Sequence, residues 1–221
     1  MSKSPASVRR LPDAQVTASG RMLDLLSAVE LRDRRVARAV FGLPWKHLDD
    51  NGSAPPDVDR VRVLIRMLEA LELTGTEHVL DIGTGAGYRA ALLGKLAGRV
   101  RSIEQTPSVA AAARTLLSRM GVTNVEVIDG DGSLGWPEHA PYDAILVGCA
   151  SPDVPNELIA QLTEGGRLVI PVGDSQGQLV ERLCRRAVAV ESTTVAPCSA
   201  RPLSFRGERV ASVPWLQVPN G

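Results

Sequence analysis

Residues 79–87 run Val-Leu-Asp-Ile-Gly-Thr-Gly-Ala-Gly, and no other stretch constrains the architecture of this chain as tightly. The apolar run with an acid near its end reads as a buried strand. Three glycines alternating with small residues then leave room for a ligand to approach the backbone. The spacing is Gly-x-Gly-x-Gly, not the Gly-x-Gly-x-x-Gly of pyrophosphate binders. Asp81 would repel a pyrophosphate, whereas its carboxylate can accept hydrogen bonds from a cation or an amine. The pattern therefore suits a ligand that carries an ammonium and a sulfonium, S-adenosylmethionine. Asp81, Gly83, Thr84, Gly85, Ala86 and Gly87 are its expected contacts.

Downstream of this stretch, apolar runs alternate with helical patterns. Strands are predicted at 78–82, 99–104, 124–128, 143–148 and 167–172, and helices near 88–97, 107–120 and 155–162, with Gly165-Gly166 as a turn. Strand and helix in alternation predict a parallel sheet covered on both faces. Upstream, apolar residues at helical spacing predict one or two helices between Met22 and Phe41, stopped by Gly42 and Pro44, and another over 58–73. Residues 49–57 read as a loop, and 178–218 as further strands. The fold class expected is α/β, a doubly wound, mostly parallel sheet with N-terminal helices and extra C-terminal strands. The expected organisation is a polar arm at 1–20 and a single domain at 21–221, divided into a helical cap (21–75), a cofactor-binding core (76–177) and C-terminal strands on the substrate side (178–221).

Ligands of such sheets bind beyond the carboxyl ends of the strands. Two further carboxylates fall there. Glu104 ends the second strand, 23 residues after Asp81, the distance at which doubly wound folds set an acid on the ribose hydroxyls. Asp131 sits between Gly130 and Gly132, where it can accept from the adenine amino group, although an aspartate in a turn is common without any ligand.

Composition narrows the function classes. The 221 residues carry 25 basic and 25 acidic side chains and 3% aromatics, so neither a global field nor stacking platforms draw in nucleic acid. Three scattered cysteines, Cys149, Cys184 and Cys198, fit free thiols in a reducing compartment. His47, His78 and His139 show no metal-ligand spacing. No apolar run has the length of a membrane span, and no signal peptide is visible. The expectation is a cytoplasmic protein with no metal, no nucleic-acid partner and no membrane partner.

From Gly130 the text continues Gly-Asp-Gly-Ser-Leu-Gly-Trp-Pro-Glu-His-Ala-Pro-Tyr-Asp-Ala-Ile-Leu-Val, and later Gly-Gly-Arg-Leu-Val-Ile-Pro-Val-Gly. This resembles the protein-L-isoaspartate (D-aspartate) O-methyltransferase family. Residues 33–48 look like that family's N-terminal helical segment, and Pro202-Leu203 like the Pro-Leu of its C-terminal substrate wall. The resemblance covers roughly 22–206. It implies a class I, Rossmann-like S-adenosylmethionine-dependent methyltransferase that esterifies damaged aspartyl residues in proteins or peptides, after which the ester collapses to a succinimide. It also implies the glycine motif at Gly83, Gly85 and Gly87, the ribose acid at Glu104 and the adenine contact at Asp131-Gly132. The family's functional serine, in a Thr-Ile-Ser-Ala-Pro or similar setting, falls on Ser53, where Asn51-Gly52 replaces Thr-Ile. In the C-terminal wall, Ala200-Arg201 stands where the family has apolar residues. Arg201 either pairs with a peptide carboxylate or is solvated, and neither Arg201 nor Ser204 has an assigned role.

The nucleophile expected is the substrate's own carboxylate. An aspartyl side chain has a pKa of about 3.9 and is already ionised at neutral pH, so the enzyme has only to align it. Ser53 is expected to orient it by a hydrogen bond. Three other readings stand beside this one. They are a relative redirected to one peptide, as in natural-product tailoring, a non-catalytic S-adenosylmethionine-binding module, and, more distantly, a nicotinamide-dependent oxidoreductase.

Overall fold

A computed structural model describes residues 30–43, 58–174, 176–200 and 203. It begins with helices α1 (Arg34–Phe41) and α2 (Val58–Ala70). The core follows as β1 (His78–Ile82), α3 (Tyr88–Leu96), β2 (Arg99–Glu104), α4 (Pro107–Arg119), β3 (Val125–Asp129), β4 (Tyr142–Val147), α5 (Asn156–Ala160), β5 (Leu162–Asp174), β6 (Gly177–Arg186) and β7 (Ala189–Cys198). All seven strands form one sheet in the order β3-β2-β1-β4-β5-β6-β7. The pairs among β1 to β5 are parallel. β6 and β7 then add antiparallel, which gives the mostly parallel α/β fold expected.

Period-two alternation divides the apolar side chains between two layers. Val79, Val100, Val127, Ala144, Leu146, Val169 and Val180 face the layer of α1 to α4. Leu80, Ile82, Ile103, Ile145, Val147, Leu168, Ile170 and Leu183 face the layer of α5. Their burial on both sides explains why the central strands read as unbroken apolar runs.

Predicted boundaries differ from the structure mainly in β5. Gly165-Gly166 is not a turn preceding the strand but an irregularity inside it. Tyr142 pairs with Leu162 and Ala144 with Arg167, so the register slips between them, and Gly165 takes a φ of 75°. β5 extends on both sides of the glycines because its far half pairs with β6 from Arg167 to Asp174, a partner the local sequence does not reveal. The arm at 1–20, residues 22–29 of the 22–41 helical stretch, the loop at 49–57 and the tail beyond Leu203 lie outside the described residues.

The C-terminus of α2 is held from the far end of the sheet. Arg167 on β5 donates from Nε to the carbonyl of Leu71 (2.7 Å). Arg182 on β6 donates from Nε to that of Ala70 (2.8 Å) and pairs with Glu72. Two guanidinium groups thus meet carbonyls that a helix end leaves without partners.

Candidate active site

β1, β2, β3 and β4 end level with one another. Ile82 pairs with Ile103 and with Val147, and Glu104 pairs with Asp129. With parallel neighbours about 4.8 Å apart, the four carboxyl ends lie within roughly 15 Å. The turns that leave them are tied to the neighbouring strands. Gly83 and Thr84 donate their N–H groups to the Ile103 carbonyl (2.8 and 3.2 Å), Gly130 to that of Glu104 (2.9 Å) and Gly148 to that of Ile82 (2.9 Å). The glycine loop, Glu104 and the Gly-Asp-Gly turn therefore share one edge of the sheet, at the switch point where β1 has β2 on one side and β4 on the other.

The loop's residues take different positions within that edge. A side chain built on Gly85 would meet nothing nearer than 4.0 Å, so this glycine faces open space. Its N–H donates to Glu104 Oε2 (2.9 Å) while Glu104 Oε1 accepts from Thr106 N–H (3.0 Å). A carboxylate offers about four lone-pair sites, so Glu104 keeps acceptor capacity for hydroxyl groups. Gly87, at φ 94°, caps α3. A Cβ there would stand 3.3 Å from the backbone of Ala113, so this glycine seats α3 against α4. Ala86 is exposed. Thr84 is buried, and its hydroxyl shares a 2.5 Å hydrogen bond with Ser102 Oγ.

In the second turn, Asp131 accepts from Ser133 N–H (2.9 Å) and starts a short 3-10 turn. Gly132 is there for packing, since a Cβ on it would stand 2.6 Å from Ile82 Cγ2. The Gly-Trp-Pro stretch that follows is held from behind. Buried Gln161 donates from Nε2 to the Leu134 carbonyl (2.7 Å) and accepts at Oε1 from Trp136 N–H (2.8 Å), and Tyr142 donates its hydroxyl to the Trp136 carbonyl (2.9 Å). Burial pushes the Tyr142 hydroxyl pKa up to about 12, against a small opposing pull from Arg101, so it stays a donor across the working pH range.

Asp81 is fully buried. Its Oδ2 accepts from Ser102 Oγ (2.6 Å), the residue opposite it on β2, and its Oδ1 from Arg89 Nε (2.6 Å). The same guanidinium reaches on to the carbonyls of Ile82 (2.9 Å) and Gly83 (2.6 Å) through Nη2. Gly148 leaves the space for it, because a side chain at 148 would overlap the guanidinium. Arg89, Ser102 and Gly148 are the site residues that motif reading passes over. One signal for Arg89 is present in the sequence. It lies in the first turn of the helix that follows the glycine loop, and that turn begins beside the strand end that carries the acid.

Of the residues singled out in the sequence, His47, Ser53, Arg201, Pro202 and Ser204 fall outside the described residues. Leu203 does not, and its N–H donates to the Ala150 carbonyl (2.7 Å) just past β4, so the C-terminal segment returns to the same edge. Among the described histidines, His78 lies at the opposite end of β1 against Tyr142 and His139 packs on Trp136. Among the described residues, no group of His, Cys, Asp and Glu is arranged to hold a metal.

The model of the protein-L-isoaspartate(D-aspartate) O-methyltransferase family matches residues 6–206. The protein-L-isoaspartate O-methyltransferase of Myxococcus xanthus is 47% identical over 203 residues, covering 82% of this chain and 96% of its own. That of Anaeromyxobacter dehalogenans strain 2CP-1 is 43% identical over 195 residues, covering 81% and 93%. Among solved structures, a protein-L-isoaspartate O-methyltransferase superposes with a TM-score of 0.74 at 23% identity, over 85% of this chain and 66% of that one. A second, from Plasmodium falciparum and in complex with S-adenosyl-L-homocysteine, gives 0.67 at 16% identity, over 85% and 98%. At those identities the two structures speak for the fold.

Proposed function

The chain belongs to the protein-L-isoaspartate(D-aspartate) O-methyltransferase family, and from that premise we propose how this edge of the sheet serves the family's reaction. The protein is an S-adenosylmethionine-dependent methyltransferase that esterifies isoaspartyl residues. In our reading the cofactor lies across the ends of β1, β2 and β3. Gly83, Gly85 and the exposed Ala86 are the approachable backbone, Glu104 receives the ribose hydroxyls, and the Gly130-Asp131-Gly132 turn receives the adenine. Asp81 contributes its charge from behind the loop. Thr84 and Gly87 support the loop's shape. The observation that carries this reading is the level ending of the strands, which gathers an open glycine, an acid with spare acceptor sites and a second acidic turn.

When bound, the cofactor supplies an electrophilic methyl group on a sulfonium. The chain's own task is positional, since an ionised carboxylate needs no general base. Holding the two reactants in line removes much of the barrier. Ser53, in this reading, hydrogen-bonds the substrate carboxylate and sets its angle of approach. The C-terminal segment, anchored by Leu203 at Ala150, forms the wall beside the substrate.

No described helix is long and apolar enough to cross a membrane. None of the three cysteines forms a disulfide, which fits a reducing compartment, and we read that compartment as the cytoplasm. The balanced charge favours a peptide or protein substrate over a nucleic acid.

The test is incubation with a synthetic isoaspartyl peptide and a methyl-labelled donor, with the matched normal-aspartyl peptide as control. Base-labile label on the isoaspartyl peptide alone is expected; equal labelling of both rejects the assignment. Ser53→Ala should lower turnover at least tenfold, about 1.4 kcal/mol of transition-state stabilisation, while S-adenosylhomocysteine affinity measured by calorimetry stays within about twofold. Wild-type turnover in that variant removes Ser53 from the mechanism.

A further inference from the structure

The space between Gly83 and Gly148, where the ends of β1 and β4 part, is filled by one cationic group of the chain itself. The Arg89 guanidinium stands there on three acceptors, the carboxylate of Asp81 and the carbonyls of Ile82 and Gly83. A carboxylate beside two strand-end carbonyls makes a cation site, and hydrogen bonds between ionised groups are the strong ones. The bound cofactor brings a cation of its own, the α-ammonium of its methionyl half. The Ile82 carbonyl already accepts the Gly148 N–H (2.9 Å), so the guanidinium takes its second lone pair, and a second cation there would meet a filled acceptor and a like charge. Arg89 rises from the first turn of α3, on a long side chain whose tip can leave the carbonyls while its Nε stays near Asp81.

We propose that Arg89 is an internal competitor for the ammonium subsite, so that it sets the affinity for the amino-acid half of the cofactor. The proposal rests on the cofactor placement given above. In the free protein the guanidinium holds the carbonyls of Ile82 and Gly83, and cofactor binding displaces its tip. Apparent affinity is then reduced in proportion to the fraction of molecules in which the guanidinium is off these carbonyls. Gly148 is the companion feature, because any larger residue there would leave the guanidinium no room.

The test compares Arg89→Gln with wild type by calorimetry against two ligands. Glutamine is too short to span all three acceptors, yet it can still donate to buried Asp81. S-adenosylhomocysteine carries the ammonium, and 5′-methylthioadenosine lacks the whole amino-acid half. The variant should bind S-adenosylhomocysteine about fivefold to tenfold more tightly, as expected if the carbonyls are occupied in roughly 80–90% of free molecules. Its affinity for methylthioadenosine should stay within about twofold. Weaker binding of S-adenosylhomocysteine would make Arg89 a ligand of the cofactor, and an equal change for both ligands would make it a general support of the loop; each overturns the competitor role. Failure of both proteins to bind either ligand would instead reject the cofactor placement, and the competitor with it. If Arg89→Gln does not fold, the wild-type crystal structure with S-adenosylhomocysteine decides. Guanidinium nitrogens still on the Ile82 and Gly83 carbonyls would end the proposal.

Discussion

Glu104 and Glu77 show how one residue type does two jobs at opposite ends of the parallel strands. Among the described residues Glu104 accepts two N–H groups, fewer than a carboxylate's lone pairs allow. Glu104→Ala should weaken S-adenosylhomocysteine binding about tenfold or more, since hydrogen bonds to a charged group contribute about 1.5–3 kcal/mol. Unchanged affinity by calorimetry would remove it from the ribose site. Glu77 is instead saturated. Burial raises its pKa, but the hydroxyl and N–H of Thr74 and the N–H of Gly75 outweigh that, leaving it at about 2 against an ordinary 4.5. A lowered folded-state value means the contribution is complete above the unfolded value and lost as pH falls. Stability on the order of 2–3 kcal/mol should therefore disappear between about pH 4.5 and pH 2. Urea titrations across that window should show a shallower acid limb for Glu77→Gln, which is also less stable at pH 7. Parallel limbs would contradict this.

At the scale of elements, two glycine-bearing motifs that look like ligand signals are in large part joints between elements. Gly87 lets α3 lean on α4 at Ala113, and Gly132 fits against Ile82. Gly135, at φ 70°, leaves space for the buried Gln161 amide that pins the Trp136 loop. Gly87→Ala adds a side chain at a left-handed φ and crowds Ala113. It should lower stability by about 1–3 kcal/mol, read as a fall in the urea midpoint with an unchanged slope. A midpoint equal to wild type would show that α3 and α4 have slack at this joint.

For the whole molecule, one sheet runs without a break from β3 to β7, and the α2 C-terminus is held by arginines of β5 and β6. The N-terminal helix, the core and the C-terminal hairpin are thus joined in one cooperative structure. Unfolding in urea should follow a single transition by both far-UV circular dichroism and tryptophan fluorescence. S-adenosylhomocysteine at a hundred times its Kd should stabilise it by about 2.7 kcal/mol. Two separated transitions would divide the hairpin from the core.

Local sequence was enough for the alternation of strands and helices and for the sheet edge to which the motif residues belong. Periodicity and turn chemistry are local properties, and the carboxyl ends of parallel strands follow from topology. Which atoms face one another across that edge is a different matter. Glu104 is legible because it ends its own strand. Arg89 and Ser102 are not, because their partner Asp81 is reached only through the register of β1 on β2 and the direction in which α3 leaves the glycine loop. The length of β5 is hidden for the same reason, since it is set by pairing with β6. Thr84 and Asp81 read in the motif as facing a ligand, yet their side chains turn toward Ser102 and Arg89. A buried polar group must find a hydrogen-bond partner, and only packing in three dimensions decides which one it finds.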